Sequence, residues 1–208
     1  AASLQYQHSD GDPGRILRAD NQTAFDNLFG TNASHAPGPM QNRYKMFNGH
    51  LNLQRKHWDL GFWAIGSSDT GVRAGAASSL DPKGSAGGDQ YFGDIRFSTE
   101  DWFDDWELRA HASYLEADVN AKVHTFPENA RLPIDATGNI NLINRVGLVD
   151  FPNGTIDDIG LVQRIPMVEL NSIYRGWTQH IIKASAGFRY EAISINHQTN
   201  YGAGVING

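Results

Sequence analysis

Residues 106–114 read Trp-Glu-Leu-Arg-Ala-His-Ala-Ser-Tyr, with Trp106, Leu108, Ala110, Ala112 and Tyr114 on one side and Glu107, Arg109, His111 and Ser113 on the other. A period of two is the mark of a strand with two chemically different faces. The same alternation recurs along the chain and predicts seven strands: Ser3–His8, Tyr44–Arg55, Trp58–Ser67, Tyr91–Thr99, Trp106–Ala117, Ile165–Arg175 and Gln179–Ile195. Between them lie polar, glycine-rich stretches, the longest being residues 9–42, 68–89 and 119–164. An all-β, antiparallel fold follows.

The connections after strands two, four and six are a few residues long, whereas those after one, three and five are long. Antiparallel neighbours then place every short turn at one end of the sheet and every long loop at the other. Long structureless loops are uncommon in compact soluble domains unless they carry function. Short turns at one end and long loops at the other are the rule in outer-membrane barrels.

Two further features point the same way. Trp58, Trp102, Trp106 and Trp177 sit at the three short turns, and only Trp63 lies well inside a strand. An amphipathic ring is most stable where hydrocarbon meets water, so these four read as membrane-interface aromatics. The polar faces carry Asn48, His50, Asn52, Asp94, Arg96, Glu107, Arg109, His111, Lys183, Arg189 and Glu191. So many charges do not suit a dry core, where each unpaired one costs several kcal/mol. They suit a wet lumen, whose wall would include Asp94, Arg96, Glu107, Arg109, Lys183, Arg189 and Glu191, paired with one another or with a plug.

Composition removes other classes. The 208 residues carry a net charge of −6 and no clustered basic patch, so nucleic acid is not an expected partner. With no cysteine, disulfides and thiolate chemistry are impossible. No run approaches the roughly 20 apolar residues of a membrane helix, and no basic-then-apolar leader is seen, but alternating strands escape such tests.

The stretch Arg43–Phe97, beginning RYKMFNGHLNLQRKHWDLGFW, and the segment DDWELRAHASYLEA that follows resemble the barrel of TonB-dependent outer-membrane receptors. Residues from Phe151, FPNGTIDDIGLVQRIPMVELNSIYRGWTQHIIKASAGFRY, are similar to a later part of the same barrels, with a proline-glycine loop before a hairpin. The resemblance implies a barrel of about 22 strands around a plug. It implies uptake of a scarce nutrient, most readily an iron–siderophore chelate, by TonB-coupled gating at the bacterial outer membrane. No plug-sized segment, TonB-binding box or terminal aromatic strand is recognisable. Seven strands are also fewer than the about 8 that close a barrel, so residues 1–208 read as an internal part of a receptor. Its expected partners are the remaining strands and plug, TonB through that plug, outer-membrane lipid and the chelate.

An anionic chelate would be met by cationic and imidazole groups of the long loops, and Arg15, Arg18, His35, Arg73, His124 and Arg131 are the candidates. No catalytic or metal-binding constellation and no cofactor site stands out: the eight histidines are scattered without zinc spacing, and HSDGDPG at residues 8–14 reads as a turn rather than a calcium loop. The alternative is a soluble β-sandwich binding module, an adhesin or carbohydrate binder, which also has β content, exposed aromatics and long loops.

Overall fold

The computed structural model describes residues 1–72 and 79–200, the last two of these by their backbone only. Arg73, one of the loop candidates, and the glycine-rich residues 202–208 lie outside the described residues. The fold is antiparallel β. Its elements are β1 (Ala2–Ser9), β2 (Ile16–Leu17), α1 (Asn21–Phe29), β3 (Gly38–Pro39), β4 (Tyr44–Arg55), β5 (Trp58–Gly71) and β6 (Ser85–Ser98), followed by β7 (Trp106–Phe126), β8 (Ala130–Ile134), β9 (Gly147–Phe151), β10 (Thr155–Trp177), β11 (His180–Arg189) and β12 (Ala192–Asn200).

One large sheet runs in the order β1-β4-β5-β6-β7-β10-β11, with β12 also on β10, while β2–β3 and β8–β9 form separate two-stranded ribbons. The last two strands are one strand in two pieces. Arg164 stands opposite Ala192 and Met167 opposite Arg189, so the register is unbroken across the gap. Tyr190 and Glu191 therefore face Pro166 and Ile165. Proline has no N–H to give the ladder, which interrupts the pairing there, although the Tyr190 amide still donates to the Pro166 carbonyl at 3.1 Å. Counted this way, the sheet has the seven strands read from the sequence. Its two outer strands, β1 and β11–β12, each pair on one side only among the described residues.

Two expected strands are much longer than their alternation indicated. β7 continues to Phe126 rather than Ala117, and β10 begins at Thr155 rather than Ile165. β6 likewise starts at Ser85, not Tyr91. The three short turns are Lys56–His57, Thr99–Asp105 and Thr178–Gln179, all at one end of the sheet.

The stretch 9–42, expected to be irregular, contains α1. Asp20 caps this helix by accepting from the Thr23 amide at 2.8 Å, while the Thr23 hydroxyl receives the Asp20 amide at 3.1 Å. That reciprocal pair satisfies amides that a helix start leaves free. Gly30 closes the helix in a left-handed conformation, φ 67°, that suits glycine. The packed apolar core is small and lies at the long-loop end: Ala33, Ala130, Leu132 and Phe151, with Phe126, Ile134, Ile140 and Val149 around it. No helix among the described residues is long and apolar enough to cross a membrane, which says nothing about strands.

Candidate functional site: a two-faced sheet with an aromatic rim

Register places the side chains. Leu53, Leu60, Ile95, Ala112, Val168 and Phe188 stand opposite one another in turn, one apolar row across six strands. One residue further along each strand, Gln54, Asp59, Arg96, His111 and Glu169 form a polar row on the other face. The apolar face is exposed. Val168 is 56% exposed, Leu170 51%, Phe188 68% and Leu4 77%, and no second layer of the described residues covers them. In a water-soluble single domain, an apolar face of this extent would be the core.

The turn end of that face is lined with rings. Trp58 packs on Phe97 with centroids 4.7 Å apart; Trp102 meets Phe97 edge-on at 5.3 Å and His57 at 5.0 Å. A second series runs Trp106, Tyr174, Trp177 and His180, each 5.9–6.4 Å from the next. The indole N–H groups are satisfied: Trp102 Nε1 donates to His57 Nε2 at 2.8 Å and Trp106 Nε1 to Ser172 Oγ at 2.7 Å. All four turn tryptophans thus sit half-exposed at the same end.

On the polar face, Asp94, Arg96, Glu107, Arg109, Lys183, Arg189 and Glu191 share one side, and most are paired. Arg96 bonds Asp94 at 2.9 Å and approaches Asp59 at 3.6 Å. Gly61 lies beside Asp94, and a Cβ there would overlap the Asp94 carboxylate, so glycine gives this carboxylate its place on the sheet. Buried Glu107 receives Arg109 Nε, Arg175 at 2.9 Å and Ser98 Oγ at 3.4 Å. Arg189 meets Glu191 at 3.4 Å, and Glu191 also accepts from Gln163 at 2.6 Å. Lys183 has no ion-pair partner among the described residues. Between these groups lies an open hollow of about 450 Å³ whose walls include His57, Asp59, Arg96, Arg109, His111 and Glu169. His111 Nε2 is buried there without a hydrogen bond, 3.6 Å from Asp94.

The loop end is tied together by three aspartates that sequence reasoning missed. Asp26 accepts from the amides of Ala33 and Ser34 and from the Thr31 hydroxyl. Asp20 reaches across to the Leu80 amide at 2.8 Å. Desolvation works to raise the Asp20 pKa, but the bonds from Leu80, Ser34 and Thr23 together hold it below the ordinary aspartate value. Fully buried Asp81 accepts from the amides of Gly84 and His124 at 2.6 Å each. Their partners, 43 and 60 residues away for Asp81 and Asp20, are not visible in local spacing.

Of the loop candidates, the structure brings two together. His35 Nε2 lies 3.0 Å from the His124 carbonyl, beside a hollow of about 300 Å³ that Lys83 and Glu128 also line. Burial lowers the His35 pKa and so favours the neutral ring. Arg131 is elsewhere, on β8, 3.7 Å from Asp150. Arg15 and Arg18 are exposed and have no side-chain partner among the described residues. The described residues contain no group of three or more metal-ligating side chains.

No family model, curated protein or solved structure matches this chain.

Proposed function

We propose that this sheet is a sector of the wall of a bacterial outer-membrane β-barrel, belonging to an active transporter of the TonB-dependent receptor class that takes up an iron–siderophore chelate or a similarly scarce nutrient. The observation that carries the reading is the exposed apolar face, one layer thick, ending in a rim of tryptophans at the short turns. Lipid covers such a face without a second protein layer. The opposite face, with its paired charges and open hollow, suits a wet or plugged lumen.

The stretches that resemble the receptor family form β4–β6, the first half of β7 and β10–β12, which are neighbours in the sheet. The unpaired edges of β1 and β11–β12 require neighbouring strands in hydrocarbon, because backbone groups there have no water to bond. Those strands, and a plug that TonB would engage, belong to the rest of the receptor or to another chain. Exposed Arg15 and Arg18, and the His35–His124 hollow at the loop end, supply cationic and imidazole groups for an anionic chelate. Uptake is gating, so no residue here has a catalytic role. A soluble β-sandwich would need a second sheet over the apolar face, and the described residues supply none.

Cells carrying the intact protein are expected to accumulate a radioactive ferric chelate, and to stop when TonB is deleted or the proton gradient is collapsed. Accumulation that is indifferent to both, or no saturable chelate binding, contradicts the transporter reading.

A further inference from the structure

β7 reverses its polarity halfway. From Trp106 to Tyr114 the even-numbered residues are apolar and the odd ones polar, but from Leu115 the odd ones are apolar (Leu115, Ala117, Val119, Ala121, Val123) and the even ones polar (Glu116, Asp118, Asn120, Lys122, His124). No slip in pairing accounts for it: the registers with β6 and β10 run without a shift through this region. The chain therefore keeps its two faces while exchanging their chemistry. β10 does so in part, with Val168 and Leu170 on the outer face below and Arg164, Gly160 and Asp158 above, although Val162 and Ile156 share that upper face. β11–β12 repeats it, with Ile182 and Phe188 giving way to Ser194 and Asn196 on that face, while Ile193 and Ile195 take the other.

The reversal has a polar seam. Glu116 accepts from the Tyr114 hydroxyl at 2.6 Å and from Arg164 at 3.2 Å, placing an amphipathic ring and an ion pair where the apolar rows end. The upper edge of the apolar band also slopes: the row through Phe47 reaches β7 at Asp118, four residues above the last apolar residue, Tyr114. Four residues are about 13 Å along a strand, and the three strand spacings from β4 to β7 are about 14 Å, so that edge crosses the strands at roughly 40° from perpendicular. Membrane barrels tilt their strands by about 35–45°. On β7 the nine band residues span about 27 Å along the strand, or about 20 Å along the membrane normal at that tilt, in keeping with a thin outer membrane.

The geometry points to a lipid interface that ends at the Tyr114–Glu116–Arg164 seam, above which this wall stands clear of hydrocarbon, wet on its outer face and apolar on its inner one. This rests on the membrane reading and adds where the bilayer stops. It also removes lipid as the reason for Val119, Ile193 and Ile195, which are exposed on the inner face.

These 208 residues contain no cysteine, so in the intact protein, with any cysteine elsewhere replaced by serine, single cysteines are placed by Val168→Cys, Asp118→Cys, Asn196→Cys and Val119→Cys. Each is labelled with a small fluorophore and reconstituted in vesicles containing lipids brominated on their acyl chains. Quenching at position 168 and its loss at 118, 119 and 196 is the expected result. Quenching at 118 or 196 as strong as at 168 would move the hydrocarbon above the seam and overturn the boundary while leaving the membrane reading intact. Quenching at 119 but not at 118 would mean the faces are exchanged against lipid, and also overturns it. No quenching at 168 would remove the membrane reading and the boundary with it.

Discussion

Leu170→Arg is expected to destabilise the intact protein in vesicles by about 2–4 kcal/mol, the cost of placing an arginine near the bilayer midplane on the lipid face of a barrel. Leu170 is 51% exposed, on the outer face of β10 midway between Pro166 and Tyr174. In a water-soluble protein, an arginine at so exposed a position would change stability by no more than about 0.5 kcal/mol. The matched control is Asn120→Arg, on the same face of β7 but above the polarity reversal, where the change should stay within about 0.5 kcal/mol. Urea unfolding of the vesicle-inserted protein measures both. Equal, small effects at the two positions would mean that water, not lipid, covers the lower band.

The second large effect is expected at Glu107. Its carboxylate, almost fully buried, joins two adjacent turns: Arg109 and Ser98 belong to the β6–β7 turn region, and Arg175 to the approach to the β10–β11 turn. The Arg175 amide also donates to the Asp105 carbonyl at 2.8 Å, so the two turns are tied by backbone and side chain together. Glu107→Ala removes the shared acceptor and leaves two guanidinium groups facing each other. Breaking a fully buried ion pair costs about 3–5 kcal/mol, but these arginines are each about half exposed and keep much of their hydration. The expected loss is therefore about 2 kcal/mol, the order of the hydrogen bonds to a charged group that disappear. Arg175→Gln should cost about half as much, since Glu107 keeps Arg109. Unfolding of both single variants and the double variant checks this, and equal losses from the two single changes would contradict a shared-acceptor role.

The strands were legible because Trp58–Ser67 and the first parts of Trp106–Ala117 and Gln179–Ile195 alternate cleanly, and because short and long connections take turns. The far ends of β7 and β10 were not. There the period of two persists but its phase flips at Leu115 and again near Ile165, so a reader following one apolar face loses the strand where the faces trade chemistry. The short helix α1 hid in a polar stretch, since it buries little apolar surface of its own. Sharing of the polar face by Arg96, Asp94, Glu107 and Arg109 followed from parity alone. The clamp from Arg175 did not, because it depends on which strands are neighbours, as does the meeting of His35 with His124 across 89 residues. The loop cations Arg15, Arg18 and Arg131 were chosen by charge, and charge carries no information on convergence. Arg131 spends its side chain beside Asp150 on the β8–β9 ribbon.

The most direct measurement on the central claim is lipid quenching of single tryptophans. Variants of the intact protein retaining only Trp58, Trp106 or Trp63, with phenylalanine in place of every other tryptophan, are reconstituted with lipids brominated near the headgroup end of the acyl chain. Trp58 and Trp106 lie on the apolar face at its rim, and Trp63 on the polar face between His50 and Phe92. If the apolar face meets lipid, Trp58 and Trp106 are quenched and Trp63 is not. Quenching of Trp63 as strong as that of Trp106, or of none of the three, would contradict a membrane wall with its charged face inward.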